Sequence, residues 1–225
     1  MDALVISLGG SIIVPDEINK DFLKKFKKLA VDFVKNGNRL VIVCGGGRLA
    51  RKYSEAAKKI SDISDDETDW IGIKATMLNA ELVKSMFGRL AYESVVNEPN
   101  KHTSTDKRII VASGWKPGWS TDYDAVLLAK QFKSHRIINL SNIDYLYNKD
   151  PNKHKDAEKI EEISWEDFQK IVGKKWKPSA NVPFDPIATR LAKEWGMEVI
   201  ISKGTDLGNL KKILNNQEFK GTIIK

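Results

Sequence analysis

Short runs that are apolar at nearly every position alternate with helical patterns along this chain of 225 residues, and no other feature restricts its fold as strongly. The run ALVISL at residues 3–8 is followed by a segment with Phe22 and Phe26 at helical spacing, which Gly37 ends. RLVIVC, RIIVAS, RIINLS and MEVIIS have the same strand-like character further along. Strands that are apolar on both faces and separated by helices are typical of a parallel sheet that helices cover on both sides. We therefore predict an α/β fold, a three-layer α/β/α sandwich with a mainly parallel central sheet.

Local signals place the helices between these strands. The predicted helices cover residues 49–60 and about 70–87, begin near Asp122, begin after a capping box of Ser164 and Asp167, and run from Asp185 to Gly196. Each helix falls between two apolar runs, as crossover connections in a parallel sheet require.

Three loops with glycines follow predicted strands: GGS at residues 9–11, GGG at 45–47 and GWKPGWSTD at 114–122. Ligands of such folds bind at the carboxyl ends of strands, where glycine lets backbone N–H groups approach phosphate oxygens. Neither a GxGxxG nor a GxxxxGK[ST] pattern is present, which disfavours a nicotinamide-binding Rossmann fold and a P-loop. Repeated glycine loops on one sheet edge favour two phosphorylated ligands that face each other, the arrangement that phosphoryl transfer needs.

The composition favours anionic ligands. Lys and Arg total 37 against 30 Asp and Glu, a formal charge of +7, which suits nucleotides, phosphorylated metabolites or nucleic acid. No nucleic-acid module or basic-aromatic repeat is visible, so we predict no nucleic-acid partner. No apolar run reaches the length of a membrane span, and Cys44 is the only cysteine. We therefore predict no membrane contact and a reducing, cytoplasmic location.

Six motifs resemble the amino acid kinase superfamily and, within it, the archaeal-type uridine monophosphate kinases. They are LGGSIIVP at residues 8–15, CGGGRLARKY at 44–53, DWIGIKATMLNA at 69–80, GWKPGWSTDYDA at 114–125, NIDYLYNKDP at 142–151 and FDPIA at 184–188. The resemblance runs over essentially the full length and in the order of the family. It implies residues 1–135 as the phosphoryl-acceptor (UMP) lobe, residues 136–225 as the ATP-binding lobe, and one continuous sheet through both.

On the acceptor side, the resemblance implies binding residues on the second glycine loop, the helices that follow it and the turn at 114–122. These are Gly45, Gly46, Arg51, Asp69, Gly114, Ser120, Thr121 and Asp122. Arg51 lies one turn after the glycines, where a guanidinium can contact phosphate through two N–H groups, although a lone Arg more often belongs to a solvated helix face. Asp69 matches a carboxylate that accepts from ribose hydroxyls, and it can also be a helix N-cap.

On the donor side, the resemblance implies ATP-binding residues on the first glycine loop and at the end of RIINLS. These are Gly9, Gly10, Ser11, Ser141, Asn142, Asp144, Tyr147 and Asp150. Two positions depart from the pattern, since Tyr145 stands where relatives generally have glycine and Lys149 where they often have alanine. A bulky side chain at a glycine position is expected to reshape the adenine site.

Two residues are implied in catalysis. Asp185 matches the acidic residue that positions basic groups around the transferring phosphoryl, and a carboxylate before Pro186 is also an ordinary helix cap. Many superfamily members have a lysine at the position of Ser7, which archaeal-type members tend to lack. Lys177 aligns with a lysine of the archaeal group and is the candidate source of positive charge, although within the run GKKWK a solvated role is equally compatible.

The activity that the resemblance implies is transfer of a phosphoryl group from ATP to UMP in pyrimidine nucleotide biosynthesis, in line and without a covalent enzyme intermediate. Mg²⁺ would bridge the donor phosphates, with no metal site made of protein side chains. The family also implies a homo-oligomer, a hexamer assembled from dimers.

Two other interpretations remain open. One is a superfamily kinase whose acceptor is isopentenyl phosphate, fosfomycin or a carboxylate. The other is a non-catalytic nucleotide-binding or storage protein on the same fold, which Ser7 and Tyr145 suggest. The intact DWIGIKAT and STD elements favour a nucleotide acceptor.

Trp115 and Trp119 lie on a turn rich in Gly and Pro, which belongs at the surface, so their rings need a partner. In one interpretation they pack on neighbouring apolar residues as a small satellite core. In the other they wall the acceptor pocket. Relatives commonly have small or histidine side chains at both positions, so the family does not decide between the two.

Overall fold

The computed structural model describes residues 3–149, 153–173 and 182–225 of the chain, in which strands and helices alternate as predicted. The strands are β1 (Ala3–Leu8), β2 (Arg39–Cys44), β3 (Ile109–Ala112), β4 (Arg136–Ser141), β5 (Leu146–Tyr147), β6 (Lys159–Ile160), β7 (Glu162–Ile163), β8 (Glu198–Lys203) and β9 (Thr222–Ile224). The helices are α1 (Gly10–Ile13), α2 (Lys20–Lys35), α3 (Gly47–Ile60), α4 (Asp65–Phe87), α5 (Thr121–Gln131), α6 (Trp165–Val172), α7 (Pro186–Glu194) and α8 (Leu207–Leu214), with a 3-10 turn at Gly88–Leu90.

Seven strands form one twisted sheet in the order β3-β2-β1-β4-β8-β9-β7. Strands β1, β2, β3, β4 and β8 are parallel, whereas β9 runs antiparallel to β8 and parallel to β7. The prediction of a mainly parallel sheet is confirmed. Strands β5 and β6 form a separate antiparallel hairpin that the sequence analysis did not predict.

Both faces of the sheet are buried, each under its own helices. Within β1, Ile6 and Leu8 face a core that includes residues of α1, α2, α4 and α8. Val5 faces the opposite core, to which α5, α6 and α7 contribute. Burial of an aliphatic side chain of this size stabilises a fold by roughly 1.5–3 kcal/mol. The continuous apolar runs are therefore explained by helices on both sides, as in the predicted three-layer sandwich.

Helix α4 begins at Asp65, five residues before the predicted start. Its N-cap is Ser64, whose hydroxyl accepts from the backbone N–H of Glu67 at 3.2 Å. The Glu67 carboxylate accepts from the backbone N–H of Ser64 at 2.8 Å, which completes a capping box. The alternative of Asp69 as an N-cap is therefore wrong, because Asp69 lies inside the helix and its side chain is available for other contacts.

The other predicted helix boundaries are confirmed, whereas the capping box predicted from Ser164 and Asp167 is present only in its Ser164 half. Ser164 caps α6 by accepting from the N–H of Asp167 at 3.1 Å. Asp185 is the N-cap of α7 with Pro186 at its first position, and Gly196 follows the helix end with φ +59°. In the described part of the chain, no helix combines the length and hydropathy that a membrane crossing requires.

Candidate active site

The two glycine loops after β1 and β2 touch each other through their backbones. Gly45 donates its N–H to the carbonyl oxygen of Leu8 at 2.9 Å. A Cβ atom on Gly10 would lie 2.3 Å from the carbonyl oxygen of Gly45, and one on Gly47, whose φ is +58°, would lie 2.2 Å from the nitrogen of Ser11. Side chains at Gly10 and Gly47 would thus force the loops apart, so these glycines are required by close approach.

Two polar side chains attach the loops to neighbouring helices, Asn79 of α4 to the second loop and Arg51 of α3 to the first. The Asn79 side chain, 2% exposed, donates an N–H to the carbonyl oxygen of Gly45 at 2.8 Å. Arg51 donates from Nη2 to the hydroxyl of Ser11 at 3.0 Å, which links the start of α3 to the first glycine loop. Arg51 is exposed, its guanidinium contacts the first glycine loop, and the residue lines a cavity in front of the two loops, so a phosphate-binding role stays a prediction.

An open cavity of about 500 Å³ lies at the carboxyl edge of the sheet in front of these loops. Its walls come from both glycine loops, α3, α4, the turn after β3 and the loop after β4. The lining residues are Ser11, Gly45, Gly46, Gly47, Ala50, Arg51, Ser54, Thr68, Asp69, Gly72, Ile73, Thr76, Gly114, Trp119, Thr121 and Asn142. The cavity thus combines a cation, a carboxylate, hydroxyls and an aromatic ring, which suits a phosphorylated, hydroxylated ligand with a planar group.

Three side chains hold the backbone of the turn at 114–120. Gly114 donates its N–H to the Thr76 hydroxyl at 2.8 Å, and Gly118 donates to Asp69 Oδ2, also at 2.8 Å. Trp115 donates its N–H to Asp124 at 3.2 Å. Helices α4 and α5 therefore fix this surface turn, and a fixed turn can serve as a wall for a ligand.

The tryptophans of this turn belong to an aromatic ladder. The ring centroids of Trp115 and Trp119 are 6.4 Å apart, and Tyr123 follows at 4.1 Å from Trp119. The ammonium group of Lys116 lies 4.1 Å from the centroid of Trp115. Trp119 also lines the cavity, whereas Trp115 does not. Both interpretations therefore hold in part. Trp115 and Trp119 each pack on a neighbouring ring, and Trp119 also lines the cavity.

Three carboxylates are grouped at the start of α5 and α7. Asp122 accepts from the hydroxyl of Ser7 and from the backbone N–H of Asp185, both at 3.2 Å. Asp185 Oδ1 caps α7 by accepting from Ile187 and Ala188, while its Oδ2 is buried without a hydrogen-bond partner among the described residues. Asp122 therefore connects the end of β1 to the N-cap of α7.

Burial raises the pKa of all three carboxyl groups. The pKa of Asp122 rises to about 7, first through burial and then through the negative charge of Asp185. Asp124 is fully buried, its Oδ1 has no partner among the described residues, and burial raises its pKa well above the usual value. Burial also raises the pKa of Asp185, against the hydrogen bonds from α7. None of the three takes part in an ion pair within the described residues, so the cluster favours protonation or an incoming cation.

The loop after β4 carries the predicted donor residues. Ser141 accepts the backbone N–H of Gly204 through its carbonyl oxygen at 2.8 Å. Asp144 accepts from the N–H of Tyr145 at 3.1 Å and from the hydroxyl of Tyr147 at 3.3 Å. The Tyr145 ring, at the position of a family glycine, lies 5.0 Å from the ammonium nitrogen of Lys159. Tyr145 is thus engaged with the β5–β6 hairpin.

The cavity brings together most of the predicted acceptor residues and part of the predicted donor set. Gly45, Gly46, Arg51, Asp69, Gly114 and Thr121 line it, together with Ser11 and Asn142. Ser120, Asp122, Gly9, Gly10, Ser141, Asp144, Tyr147 and Asp185 lie outside its lining, Ser120 as the N-cap of α5. Asp150 and Lys177 lie outside the described residues.

Sequence analysis missed Thr76, Asn79 and Asp124. Thr76 and Asn79 are part of the stretch DWIGIKATMLNA, where a polar residue on the buried face of α4 was a usable signal. Asp124 is two residues after Asp122. Its only signal in the sequence was a charge at a helix position where the pattern predicts an apolar residue.

The raised pKa of Asp122 predicts a pH-dependent penalty on folding. Its folded-state pKa of about 7 exceeds the ordinary value, so the folded state holds more protons than the unfolded state between these values. The stability of the wild type should then fall as pH rises through this range. Asp122→Asn has no carboxyl group to ionise. Between about pH 5 and about pH 8, its free energy of unfolding relative to the wild type should therefore rise by on the order of 1–3 kcal/mol.

Urea denaturation at both pH values measures this gain. The control is Asp106→Asn, which removes a carboxylate at an exposed position outside the cluster. Parallel pH profiles for the wild type and Asp122→Asn would contradict burial as the cause.

Comparisons with known proteins agree with this geometry. The family model described as the amino acid kinase family matches residues 2–203. A uridylate kinase of Methanobrevibacter smithii is 32% identical, with 98% of each chain covered, and one of Thermoplasma volcanium is 33% identical, with 96% of this chain and 94% of the relative covered. The crystal structure of uridylate kinase from Archaeoglobus fulgidus superposes with a TM-score of 0.84 at 30% identity over 100% of both chains. UMP kinase from Bacillus anthracis shares the fold, with a TM-score of 0.75 at 20% identity over 100% of this chain and 96% of the other. The chain belongs to the amino acid kinase family.

Proposed function

We propose that this chain is a uridylate kinase that transfers the terminal phosphoryl group of ATP to UMP and releases ADP and UDP, a step of pyrimidine nucleotide biosynthesis. The observation that carries the proposal is the cavity of about 500 Å³ in which Arg51, Asp69 and Thr121 converge beside both glycine loops. Archaeal relatives that match over nearly the full chain are named uridylate kinases.

In the proposed acceptor complex, the phosphate of UMP lies against the second glycine loop. Arg51 contacts it together with the N-terminal end of α5 at Thr121, where backbone N–H groups and the helix dipole favour an anion. Asp69 uses Oδ2 to accept from Gly118, and its Oδ1 has no hydrogen-bond partner within the described residues. We assign that oxygen to a ribose hydroxyl.

The proposed donor, ATP, lies across the first glycine loop and the loop after β4. Gly9, Gly10 and Ser11 present backbone N–H groups to its phosphates, and Ser141, Asn142, Asp144 and Tyr147 surround the nucleoside, with Asp150 as a further proposed contact. This arrangement corresponds to an acceptor lobe at residues 1–135 and a donor lobe at 136–225.

Charge stabilisation is the main task of the site, since a loose phosphoryl transition state needs little covalent help. We assign Asp185 to orienting the cationic groups near the transferring phosphoryl, with Lys177 as the proposed cation. In the described part of the chain no group of three or more His, Cys, Asp or Glu side chains is suited to a metal ion. Mg²⁺, if the family pattern holds, would bind through the phosphates of ATP and neutralise their charge.

We also propose that the chain forms a homo-oligomer. The resemblance to the family implies a hexamer. Helix α3 packs on α4 rather than on the sheet and leaves Tyr53 65% and Ile60 82% exposed. Leu78 and Trp70 of α4 are 64% and 45% exposed, and together with Tyr53 they line one groove. Apolar side chains grouped in this way favour burial against a second copy, and sedimentation of the chain measures the state.

A phosphoryl-transfer assay with ATP and Mg²⁺ tests the activity. We expect UMP to be the preferred acceptor in a panel with CMP, dUMP, isopentenyl phosphate, fosfomycin, glutamate and carbamate. Preference for a non-nucleotide acceptor would instead favour another branch of the family. Saturable UMP binding without turnover would favour a nucleotide-binding protein that lacks catalysis.

Asp185→Asn should lower turnover by on the order of a hundredfold or more, because it removes a charge needed in the transition state. Asn still accepts hydrogen bonds at an N-cap, so the fold and the affinity for UMP should persist. The matched control is Asp206→Asn at the N-cap of α8, whose side chain accepts from the N–H of Asn209 at 2.9 Å and does not line the cavity. Equal turnover in both variants would reduce Asp185 to a helix cap.

Trp119→Leu should weaken UMP binding by a factor of about five to a hundred if the ring contacts the base, since stacking of a base on an aromatic ring contributes roughly 1–3 kcal/mol. ATP affinity should stay nearly constant. Trp115→Leu is the matched control, because Trp115 belongs to the same ladder but not to the cavity lining. Calorimetric titration measures both affinities. Normal UMP binding with a lowered melting temperature in Trp119→Leu would leave the ring only a packing role.

A further inference from the structure

The last strand of the sheet begins at the edge where the glycine loops lie. Because β9 runs antiparallel to β8, its first residue, Thr222, pairs with Ile201 near the carboxyl end of β8. In the next strand pair, Lys203 of β8 is opposite Ser141, the last residue of β4. Thr222 is therefore close to the point where the chain leaves β4 and enters the loop that carries Asn142 and Asp144.

The Thr222 side chain contacts both strands of the β5–β6 hairpin. It is 0% exposed, its hydroxyl accepts from the backbone N–H of Leu146 at 2.8 Å, and it donates to the carbonyl oxygen of Ile160. Leu146 and Ile160 are opposite each other in the hairpin register. One buried hydroxyl thus satisfies a donor from one strand and an acceptor from the other.

The β6 side of the hairpin is also held by the main sheet, because β6 leads into β7 and Ile223 of β9 donates its N–H to the carbonyl oxygen of Glu161 at 2.9 Å. On the β5 side, Leu146 packs in the core, and the polar contact to the sheet is the one that Thr222 makes.

The two strands of the hairpin contain two residues each, and an isolated two-stranded hairpin of this length is not stable in water. Asn148 and Glu158 add a cross-strand pair, with Asn148 donating its backbone N–H to the Glu158 carbonyl oxygen at 3.1 Å. That pair connects the strands to each other but does not attach them to the sheet.

The neighbouring Gly221 sets the position of Thr222. A Cβ atom on Gly221 would lie 2.7 Å from the carbonyl oxygen of Ile201, so a larger residue would push the start of β9 away from β8. The hydroxyl of Thr222 then reaches the hairpin from a rigid strand, which makes the contact suited to positioning.

We infer that Thr222 is a positioning residue for the nucleotide donor: its hydroxyl attaches the β5–β6 hairpin, and with it the loop at residues 142–149, to the central sheet. This inference rests on the proposed function, in which that loop binds ATP. The residue touches no substrate; it acts through the backbone of Leu146. Loss of the hydroxyl should therefore affect ATP and leave UMP binding unchanged.

Thr222→Val is the test, because valine keeps the shape and removes both hydrogen bonds. It leaves the buried N–H of Leu146 without a partner and so favours conformations in which the hairpin is detached from the sheet. ATP must then restore the attached state, which we expect to lower its apparent affinity about tenfold. We expect KM for ATP to rise about tenfold while KM for UMP stays within about twofold, and calorimetric titration with ATP alone should give the same loss. Thr222→Ser, which keeps the hydroxyl, should restore ATP binding.

Ser202→Ala is the matched control. The Ser202 hydroxyl is buried at the same end of β8, accepts from the Asn209 side chain at 2.9 Å and donates to the Lys220 carbonyl oxygen at 3.2 Å. It thus anchors α8 and the chain before β9 and makes no hydrogen bond to the described residues of the hairpin. This variant should lose stability without a selective loss of ATP affinity. An equal loss in Ser202→Ala and Thr222→Val would overturn the inference.

Hydrogen exchange in the wild type gives a test that does not require the variant to fold. The amide of Leu146 should exchange much more slowly than those of Asn142 and Asp144, which lie on the exposed part of the loop. Equally fast exchange would show that the anchor does not form and would overturn the inference. A wild type that fails to phosphorylate UMP with ATP contradicts the proposed function, whereas an active wild type with a Thr222→Val variant of normal ATP affinity contradicts only the role of Thr222.

Discussion

The backbone contact between the two glycine loops is the constraint on which the rest of the site depends. Leu8 and Cys44 are opposite each other at the ends of neighbouring parallel strands, so the loops that follow them begin about 5 Å apart. At that spacing two ordinary side chains cannot fit between the chains, and the separations calculated for Gly10 and Gly47 are far below van der Waals contact. The fold therefore places two glycine-rich backbones side by side, and in the proposed function these two backbones hold the phosphates that react.

The group of three buried carboxylates is unusual, because charged side chains in proteins are generally paired or exposed to water. Each of Asp122, Asp124 and Asp185 has a raised pKa with burial as its first cause, and two of their oxygens have no partner in the described residues. Such a group lowers stability at neutral pH, so it is better explained by function than by folding. Asp122 shows how the fold retains it, since one carboxylate joins β1, α5 and the N-cap of α7.

The sequence analysis predicted the architecture well because its signals are local and repeated. Apolar runs, Gly37, Ser164 and Asp185 each report on a few neighbouring residues, and each is confirmed. The start of α4 was placed too late because the polar residues of its first turn hid the capping box at Ser64. The β5–β6 hairpin was missed because strands of two residues have no periodicity and depend on Thr222, which is 76 positions from Leu146.

Only the part of the site whose residues follow the ends of strands could be predicted from the sequence. Gly45, Arg51 and Thr121 belong to that part, whereas Thr76, Asn79 and Asp124 act through single hydrogen bonds to backbone groups distant in sequence. No spacing rule identifies such a contact, since it depends on how two helices are placed against a turn. The resemblance to a family indicated which loops matter but not the side chains that hold them.

In the proposed function, helix α4 links recognition of the sugar to the position of the aromatic wall. Asp69 holds the N–H of Gly118 through one carboxylate oxygen, and Thr76 of the same helix holds the N–H of Gly114. A ribose hydroxyl that engages the other oxygen of Asp69 would therefore act on a side chain that already fixes the turn bearing Trp119. Because both contacts come from one rigid helix, the wall and the sugar site keep their separation without the ligand. Such a preorganised pocket loses little entropy on binding, which favours discrimination by shape over adaptation to different acceptors.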